Sequence, residues 1–510
     1  MNCVPGPIAA TRTMLDQSQT PIVSALQASS HRSHAAFYAP GHKRGKGASS
    51  RLKELLGEAA LAVDLPELPE LDNLFAPEGV ILAAQDLAAA AFGADGTCFL
   101  ANGSTCGIEA AILATAGPGD KIIVPRNAHR SVIAGLVLSG AMPIFVAPDY
   151  SPELGLVLGV KAEAIAAALA RHPDTRAVLL VSPTYHGICS DIAAIAALTQ
   201  AHNIPLLIDE AHGSHFAFHP QLPTPALALG ADLVVQSTHK VLGALSQAAM
   251  LHTQGQRIDP SRLQAALQLT QSTSPSALLL ASLDAARHQM ATEGKALLAD
   301  TLELVDQLRT GLAAIPGVQV IDRPSVTTCS SVSDLDLTRV TVDVSGLGLT
   351  GLAADEILHG ELGVTAELPE LRHLTFIVSL GNGLEDVQRC ITGFKVLAER
   401  GAKSRTAPQN FSDLSLPFSS QATEHPVPAV SPRQAFFAAT ETVSASAALG
   451  RLSADTISAY PPGIPAIVVG EPITAGAIAY LANVKRQGGY VTGGSTSGPE
   501  KFRVLVQKRE

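Results

Sequence analysis

The stretch KIIVPRNAHRSVIAGLVLSGAMPIFV, residues 121–146, decides the fold class. Its ends, KIIVP (121–125) and MPIFV (142–146), are short and apolar, as strands are when both faces of a sheet are covered. Between them SVIAGLVLSGA spaces its apolar residues at the 3.6-residue period of an amphipathic helix. The same alternation continues outward from about residue 95 to 250. AVLLVSP (177–183), IPLLID (204–209) and DLVVQS (232–237) read as strands, with KAEAIAAALARH and DIAAIAALTQAHN as helices between them. Apolar strands separated by such helices predict an α/β domain with a parallel sheet covered on both faces. In that architecture functional groups gather at the carboxyl ends of the strands.

With 510 residues, 46% of them hydrophobic, the chain can bury more than one core, and two or three domains are expected. After about residue 300 the pattern changes. ALLADTLELVDQLRTGLAAI (296–315) predicts a long helix, and VTVDVSG and LTFIVSLG predict strands around a further helix, which together suggest a smaller α+β domain. Residues 403–432 are rich in Ser and Pro without a period, as a linker or extended arm is, and a last module, 433–510, carries the turn-rich AYPPGIPAIVVGEPIT. The expected division is an N-terminal segment (1–50), a large α/β domain (51–300), the small domain (301–402), the linker (403–432) and the C-terminal α+β module (433–510).

Apolar runs stop well short of the roughly 18 residues of a membrane helix. The N-terminal MNCVPGPIAATRTMLDQSQT has no apolar core flanked by basic residues, so a cytoplasmic protein is expected. Six cysteines, at 3, 98, 106, 189, 329 and 390, form no CxxC pair, and reduced thiols follow. The net charge of −10 counts against a nucleic-acid partner and permits a cationic substrate.

Four strand ends carry unusual polar groups. FLANGSTCGIEAAI (99–112) sets Gly103, Ser104 and Thr105 at the start of an apolar helix, where free N–H groups and hydroxyls bind an anion such as phosphate. Taken alone the segment is equally a capped helix. VPRNAHRS (124–131) ends a strand with His129, which alone could be a surface histidine. PLLIDEAHGSHFAFH (205–219) spells the helicase tetrapeptide at 209–212, but the chain has no GxxxxGK[ST] loop to hold a nucleoside triphosphate. His212, His215 and His219 have no matching Cys or carboxylate set, so no metal site is expected. What remains is Asp209, an acid at the end of a buried strand, which needs a cationic partner. LVVQSTHKVLGALSQAAM (233–250) supplies one: Lys240 follows an apolar strand, with Ser237 and His239 beside it and small residues after it. A solvated surface lysine is the ordinary alternative. One strand–helix–strand crossover separates Asp209 from Lys240, so both can reach the same sheet edge. A phosphate cup, a ring-stacking histidine, a buried acid and a lysine together fit pyridoxal 5′-phosphate, with the lysine as Schiff-base former and the acid holding the pyridine nitrogen protonated.

Several segments in order resemble the bacterial ornithine/lysine/arginine decarboxylases, fold type I (aspartate-aminotransferase-like) pyridoxal-phosphate enzymes. They are FYAPGHKRG (37–45), LDNLFAPEGVILAAQDLAAAAFGAD (71–95), NGST, RNAHRS, SPTYHG, DEAHGSHFAFH, STHK, TQSTSPS (270–276) and YPPGIPAIVVGEPI (460–473). Ala101 stands where Thr is common and Arg130 where Lys is common, and the N-terminal wing of the long members is missing, so their decameric assembly is not implied. The resemblance implies that Gly103, Ser104 and Thr105 hold the phosphate, assisted by Ser237 and His239. It implies that His129 stacks on the ring, Asp209 pairs with its nitrogen, Ala211 packs beneath it and Lys240 forms the Schiff base. His212 joins this cofactor-binding set. Thr273 and Ser274 are implied to reach the phosphate of a neighbouring subunit, which requires a homodimer, while Ser272 and Glu367 are implied to meet the substrate. Glu367 matches the acid for the substrate's distal cation, and a solvated loop glutamate is the alternative reading.

The expected activity is decarboxylation of a basic amino acid: arginine to agmatine first, with lysine to cadaverine or ornithine to putrescine as alternatives. An aminotransferase or β-eliminating lyase shares the lysine and acid but would not be expected to carry STHK and YPPGIP together. A non-catalytic regulatory homologue would have to explain why Lys240, Asp209 and His129 are all intact.

Overall fold

A computed structural model describes residues 15–404, 428, 430–460, 464–494 and 500–506. The expected linker at 403–432 lies almost wholly outside the described residues, as do Cys3 and residues 461–463 of the YPPGIP segment. The strands used below are β1 (Gly96–Leu100), β2 (Lys121–Pro125), β3 (Met142–Val146), β4 (Thr175–Val181), β5 (Leu206–Asp209), β6 (Leu233–Gln236) and β7 (Ala249–Thr253). The helices are α1 (Pro21–Ser30), α2 (Gly103–Thr115), α3 (Arg130–Ser139), α4 (Thr238–Val241), α5 (Pro260–Thr270), α6 (Ala277–Ala313) and α7 (Pro432–Phe437). The chain divides into two compact units, Met1–Thr115 with Leu207–Leu298, and Ala116–Leu206 with Ala299–Glu510.

In the first unit the strands run in the order β1-β7-β6-β5. β5 and β6 are parallel, with Asp209 opposite Val235. β7 runs antiparallel to both β6 and β1. That reversal was not expected from the sequence, and its cause is local: the β6–β7 connection holds only the four-residue α4, too little for the long crossover that a parallel strand needs. All residues of these strands that belong to the unit are buried. α2 presses onto the sheet at Gly107, where a Cβ would stand 2.6 Å from Leu100 Cδ1 and 2.9 Å from Val235 Cγ1. Glycine alone permits that approach. α1 is tied to α6 through a wholly buried ion pair, Asp284 with Arg287 at 2.5 Å. Asp284 Oδ2 accepts from the Ile22 N–H at 2.9 Å, and Arg287 donates to the carbonyls of Gln17 and Gln19. This polar pair also explains why the sequence placed the long helix at 296–315: it breaks the apolar period over the first turns of a helix that starts at Ala277.

In the second unit β4, β2 and β3 are all parallel, with Ile123 between Val178 and Ile144, as the opening stretch of sequence requires. Downstream, an antiparallel sheet of Gln319–Val320, Arg339–Asp343, His373–Ile377 and Leu368–Pro369 packs with the helices Gly351–Glu361 and Leu384–Ser404 around Val340, Val342, Leu374, Phe394 and Leu397. The C-terminal module pairs Thr440–Ser444 with Lys501–Leu505, and Ile457–Tyr460 with Pro465–Ile467 and Tyr490–Thr492. Its helix, Ala475–Arg486, closes a core of Ile467, Ile473, Leu481, Phe502 and Val504. Among the described residues no helix is long and apolar enough to cross a membrane, and five cysteines are free thiols.

Candidate active site

Within the first unit the carboxyl ends of β1, β5 and β6 bring most of the expected residues together. β1 turns into α2 through Ala101 and Asn102, and this turn is held from two sides: Gln247 Nε2 donates to the Ala101 carbonyl at 2.8 Å and the Ala101 N–H donates to Gln271 Oε1 at 2.9 Å. Gly103 follows at φ +79°, a left-handed backbone that a side chain would strain. Ser237, at the end of β6, donates its hydroxyl to Ser104 Oγ at 2.7 Å. Two hydroxyls therefore meet at the N-terminus of a 13-residue helix, where N–H groups and the helix dipole favour an anion. Thr105 is exposed on the same first turn. His239 is fixed by Nδ1 against the Ala248 carbonyl at 2.9 Å.

Lys240 lies on α4, and its Nζ is 2.9 Å from His212 Nε2. Lys240 can donate in this contact only to the His212 tautomer that leaves Nε2 without a proton. Asp209 is buried at the end of β5, next to Ala211, whose N–H donates to Oδ1 at 3.2 Å. Burial pushes the Asp209 carboxyl above its ordinary range; the Lys240 charge and the Ala211 N–H oppose that. In the 272–274 loop Ser272, Thr273 and Ser274 are all exposed, and the Ser272 N–H reaches Asn102 Oδ1 at 3.5 Å, beside the Ser104 turn.

A buried polar chain behind this edge escaped the reading of the sequence. Glu210 turns away from Asp209, as strand alternation requires, and accepts from Gln236 Nε2 at 2.7 Å and from the Ala226 N–H at 2.9 Å. Gln236 Oε1 is 3.2 Å from His252 Nε2, whose Nδ1 is 2.8 Å from Thr97 Oγ1. Burial pushes the Glu210 carboxyl up to about 8 and holds the His252 imidazole down to about 3. The signal was present: Gln236, His252 and Thr97 are the polar residues inside otherwise apolar strands, and such residues need buried partners.

Two expected residues belong to the second unit. His129 caps the N-terminus of α3, its Nδ1 accepting from the Ser131 N–H at 3.2 Å. Glu367 is exposed just before the short strand Leu368–Pro369; its N–H donates to the Thr375 carbonyl at 3.1 Å, and its charge acts on the buried Arg339 guanidinium.

The family model for the Orn/Lys/Arg decarboxylase major domain matches residues 20–333, and that for the C-terminal domain of the same family matches residues 418–493. The chain belongs to the Orn/Lys/Arg decarboxylase family. Its fold is that of the fold type I pyridoxal-phosphate enzymes, and the protein is a decarboxylase of the basic amino-acid class. It is 37% identical to the arginine decarboxylase of Bacillus subtilis over 97% of this chain and 99% of that one. It is 29% identical to a lysine decarboxylase of Pseudomonas aeruginosa over 60% of this chain and 44% of the other. Among solved structures, the lysine decarboxylase of Francisella novicida superposes with a TM-score of 0.83 at 21% identity, covering 96% of this chain and 81% of that one. The donor set suits pyridoxal phosphate. Paired hydroxyls at a helix N-terminus, a primary amine beside an imidazole, and a buried acid in that amine's field match its phosphate, carbonyl and ring nitrogen in turn.

Proposed function

We propose that this protein converts L-arginine to agmatine and carbon dioxide, as a cytoplasmic homodimer using pyridoxal 5′-phosphate. The observation that carries the choice of arginine is the end-to-end similarity to an arginine decarboxylase, 97% of one chain against 99% of the other. Bound pyridoxal phosphate supplies an electron sink for the charge that develops at Cα as carbon dioxide leaves.

The chain's own residues do the rest. Gly103, Ser104 and Thr105, with Ser237 and His239, hold the phosphate, and Lys240 Nζ is the amine that engages the cofactor's carbonyl carbon. His212, whose Nε2 is 2.9 Å from Lys240 Nζ, takes the proton that a nucleophilic amine must shed. Asp209 holds a proton on the ring nitrogen; burial pushes its carboxyl up, the Lys240 charge opposes that in part, and a cationic ring nitrogen beside it would favour the carboxylate. Ala211 would leave space for the ring and His129 would stack on it. Lys240 or a neighbouring histidine returns the proton to Cα. Glu367 meets the guanidinium and Ser272 lies beside the substrate, while Thr273 and Ser274 extend from the neighbouring subunit toward the phosphate. These roles divide between a large domain at 51–300 and a small domain at 301–402, with a further module from 433.

The test is product analysis on purified protein with pyridoxal phosphate, offering arginine, lysine and ornithine separately and measuring carbon dioxide and amine. Agmatine as the main product supports the reading. Cadaverine or putrescine as the main product would move the substrate to lysine or ornithine and leave the roles of Lys240 and Asp209 in place.

A further inference from the structure

The C-terminal module has no role in the chemistry above, yet its side chains hold one particular helix. α3 is the helix that His129 caps. Three residues before His129, Arg126 is 4% exposed and donates Nη1 to the Pro465 carbonyl at 2.7 Å and Nη2 to the Ala466 carbonyl at 3.3 Å. The same Nη2 pairs with Glu471 Oε2 at 2.7 Å, and that oxygen also accepts from the Val468 N–H at 2.9 Å. Arg126 thus joins the loop before α3 to the turn that closes the strand Pro465–Ile467. At the other end of α3, Arg433 on α7 donates Nη1 to the carbonyls of Leu138 at 2.9 Å and Val137 at 3.3 Å. Those are last-turn carbonyls with no partner inside the helix, and a guanidinium there also suits the helix dipole. α3 is therefore gripped at both ends by residues contributed some 300 positions later in the chain.

We propose that the C-terminal module is a positioning device for His129, with Arg126, Glu471 and Arg433 as the positioning residues. The inference rests on the reading of His129 as the residue that lies on the cofactor ring. A helix anchored at one end only can slide or fray by a fraction of an ångström, and a stacking ring carried on its cap moves with it. Two anchors remove that freedom, and the buried guanidinium fixes the cap itself because it is directional and multiply bonded.

The experiment uses the full-length protein carrying Glu471→Gln, which keeps the side-chain size and removes the charge, and Arg433→Ala, which changes an exposed residue. The control is Arg503→Met, which breaks the Arg503–Asp455 ion pair inside the same module without touching α3. Amide hydrogen exchange is read for residues 126–140 with and without pyridoxal phosphate. The visible circular dichroism of bound cofactor, kcat and KM are read beside it. Exchange in 126–140 is expected to rise roughly tenfold in both variants and further in their combination, with kcat falling roughly tenfold and KM within about twofold. The visible dichroic band is expected to weaken in step with kcat. In Arg503→Met the exchange of 126–140 and kcat are expected to stay within about twofold of the parent. Unchanged exchange in 126–140 for both variants, or an equal loss of kcat in the control, overturns the proposal. If the parent protein shows no bound-cofactor absorbance, the reading of the site fails instead, and the exchange data still decide whether the module holds α3.

Discussion

Lys240 and Glu210 show how differently single residues declare themselves. Lys240 stood out in the sequence because it closely follows an apolar strand and precedes small residues, and its replacement has a simple expected outcome. Lys240→Ala should abolish the visible absorbance of the protein–cofactor linkage and reduce kcat by several orders of magnitude, read by spectrophotometry and product release. Asp209→Asn should keep the cofactor and lose roughly 10²–10³-fold in kcat, since it removes the charge that holds the ring nitrogen protonated. Glu210 was legible only as one member of a familiar tetrapeptide, because its partners Gln236, Ala226 and, one step on, His252 come from distant positions. Its raised pKa has a consequence for stability. Below the ordinary value of 4.5 folded and unfolded chains both hold the proton, and as pH climbs to about 8 only the folded chain does. Stability contributed by that proton is therefore full in acid and lost as pH rises through about 8. His252 acts from the other side: the unfolded imidazole binds a proton near 6.5 and the folded one only near 3, so stability drops as pH falls through that interval. Thermal melting of the cofactor-free protein is expected to show a flatter limb between about pH 4.5 and 8 in Glu210→Gln and a flatter limb between about pH 6.5 and 3 in His252→Gln. Limbs unchanged from the parent protein would refute both assignments.

At the level of elements the sequence was most reliable where period and length agreed. The strands at 121–125, 142–146 and 204–209 and the helices between them stand within a residue or two of their expected bounds, because burial on both sheet faces leaves an unambiguous apolar run. It missed β7, which was not among the expected strands, and was least reliable where buried charge interrupts a period, as in α6. Gly107 is the element-scale counterpart of a catalytic residue: it decides how closely α2, with Ser104 on its first turn, lies on the sheet. Gly107→Ala should cost about 1–3 kcal/mol in a denaturant titration, because Leu100 and Val235 must give way. It should also weaken pyridoxal phosphate binding, since the helix start moves with the helix. A variant that matched the parent in both measurements would mean that the helix contact is slack.

For the whole molecule, the exposed Thr273 and Ser274 set the decisive measurement. If they serve the neighbouring subunit, mixed dimers of Lys240→Ala with a Thr273→Ala/Ser274→Ala chain should regain roughly a quarter of the parent sites, since half the dimers are mixed and each holds one intact site. Two inactive parents giving no activity on mixing would place that loop in its own subunit's site. The sequence could bring this question forward through resemblance alone, because a loop's partner across an interface leaves no period or spacing in its own chain. The Asp284–Arg287 pair bears on a different matter, the manufacture and trimming of the chain. Its charges are neutralised within the core, but Asp284 Oδ2 and the two Arg287 Nη groups also bond the backbone around residues 17–23. Proteolytic clipping or a shortened expression clone that removes those residues would strand two solvent-starved ions, at a cost of about 3–5 kcal/mol if the pair cannot rearrange. The start of a recombinant version therefore has a lower limit upstream of Gln17, and limited digestion of the native protein should spare that boundary until α6 itself opens.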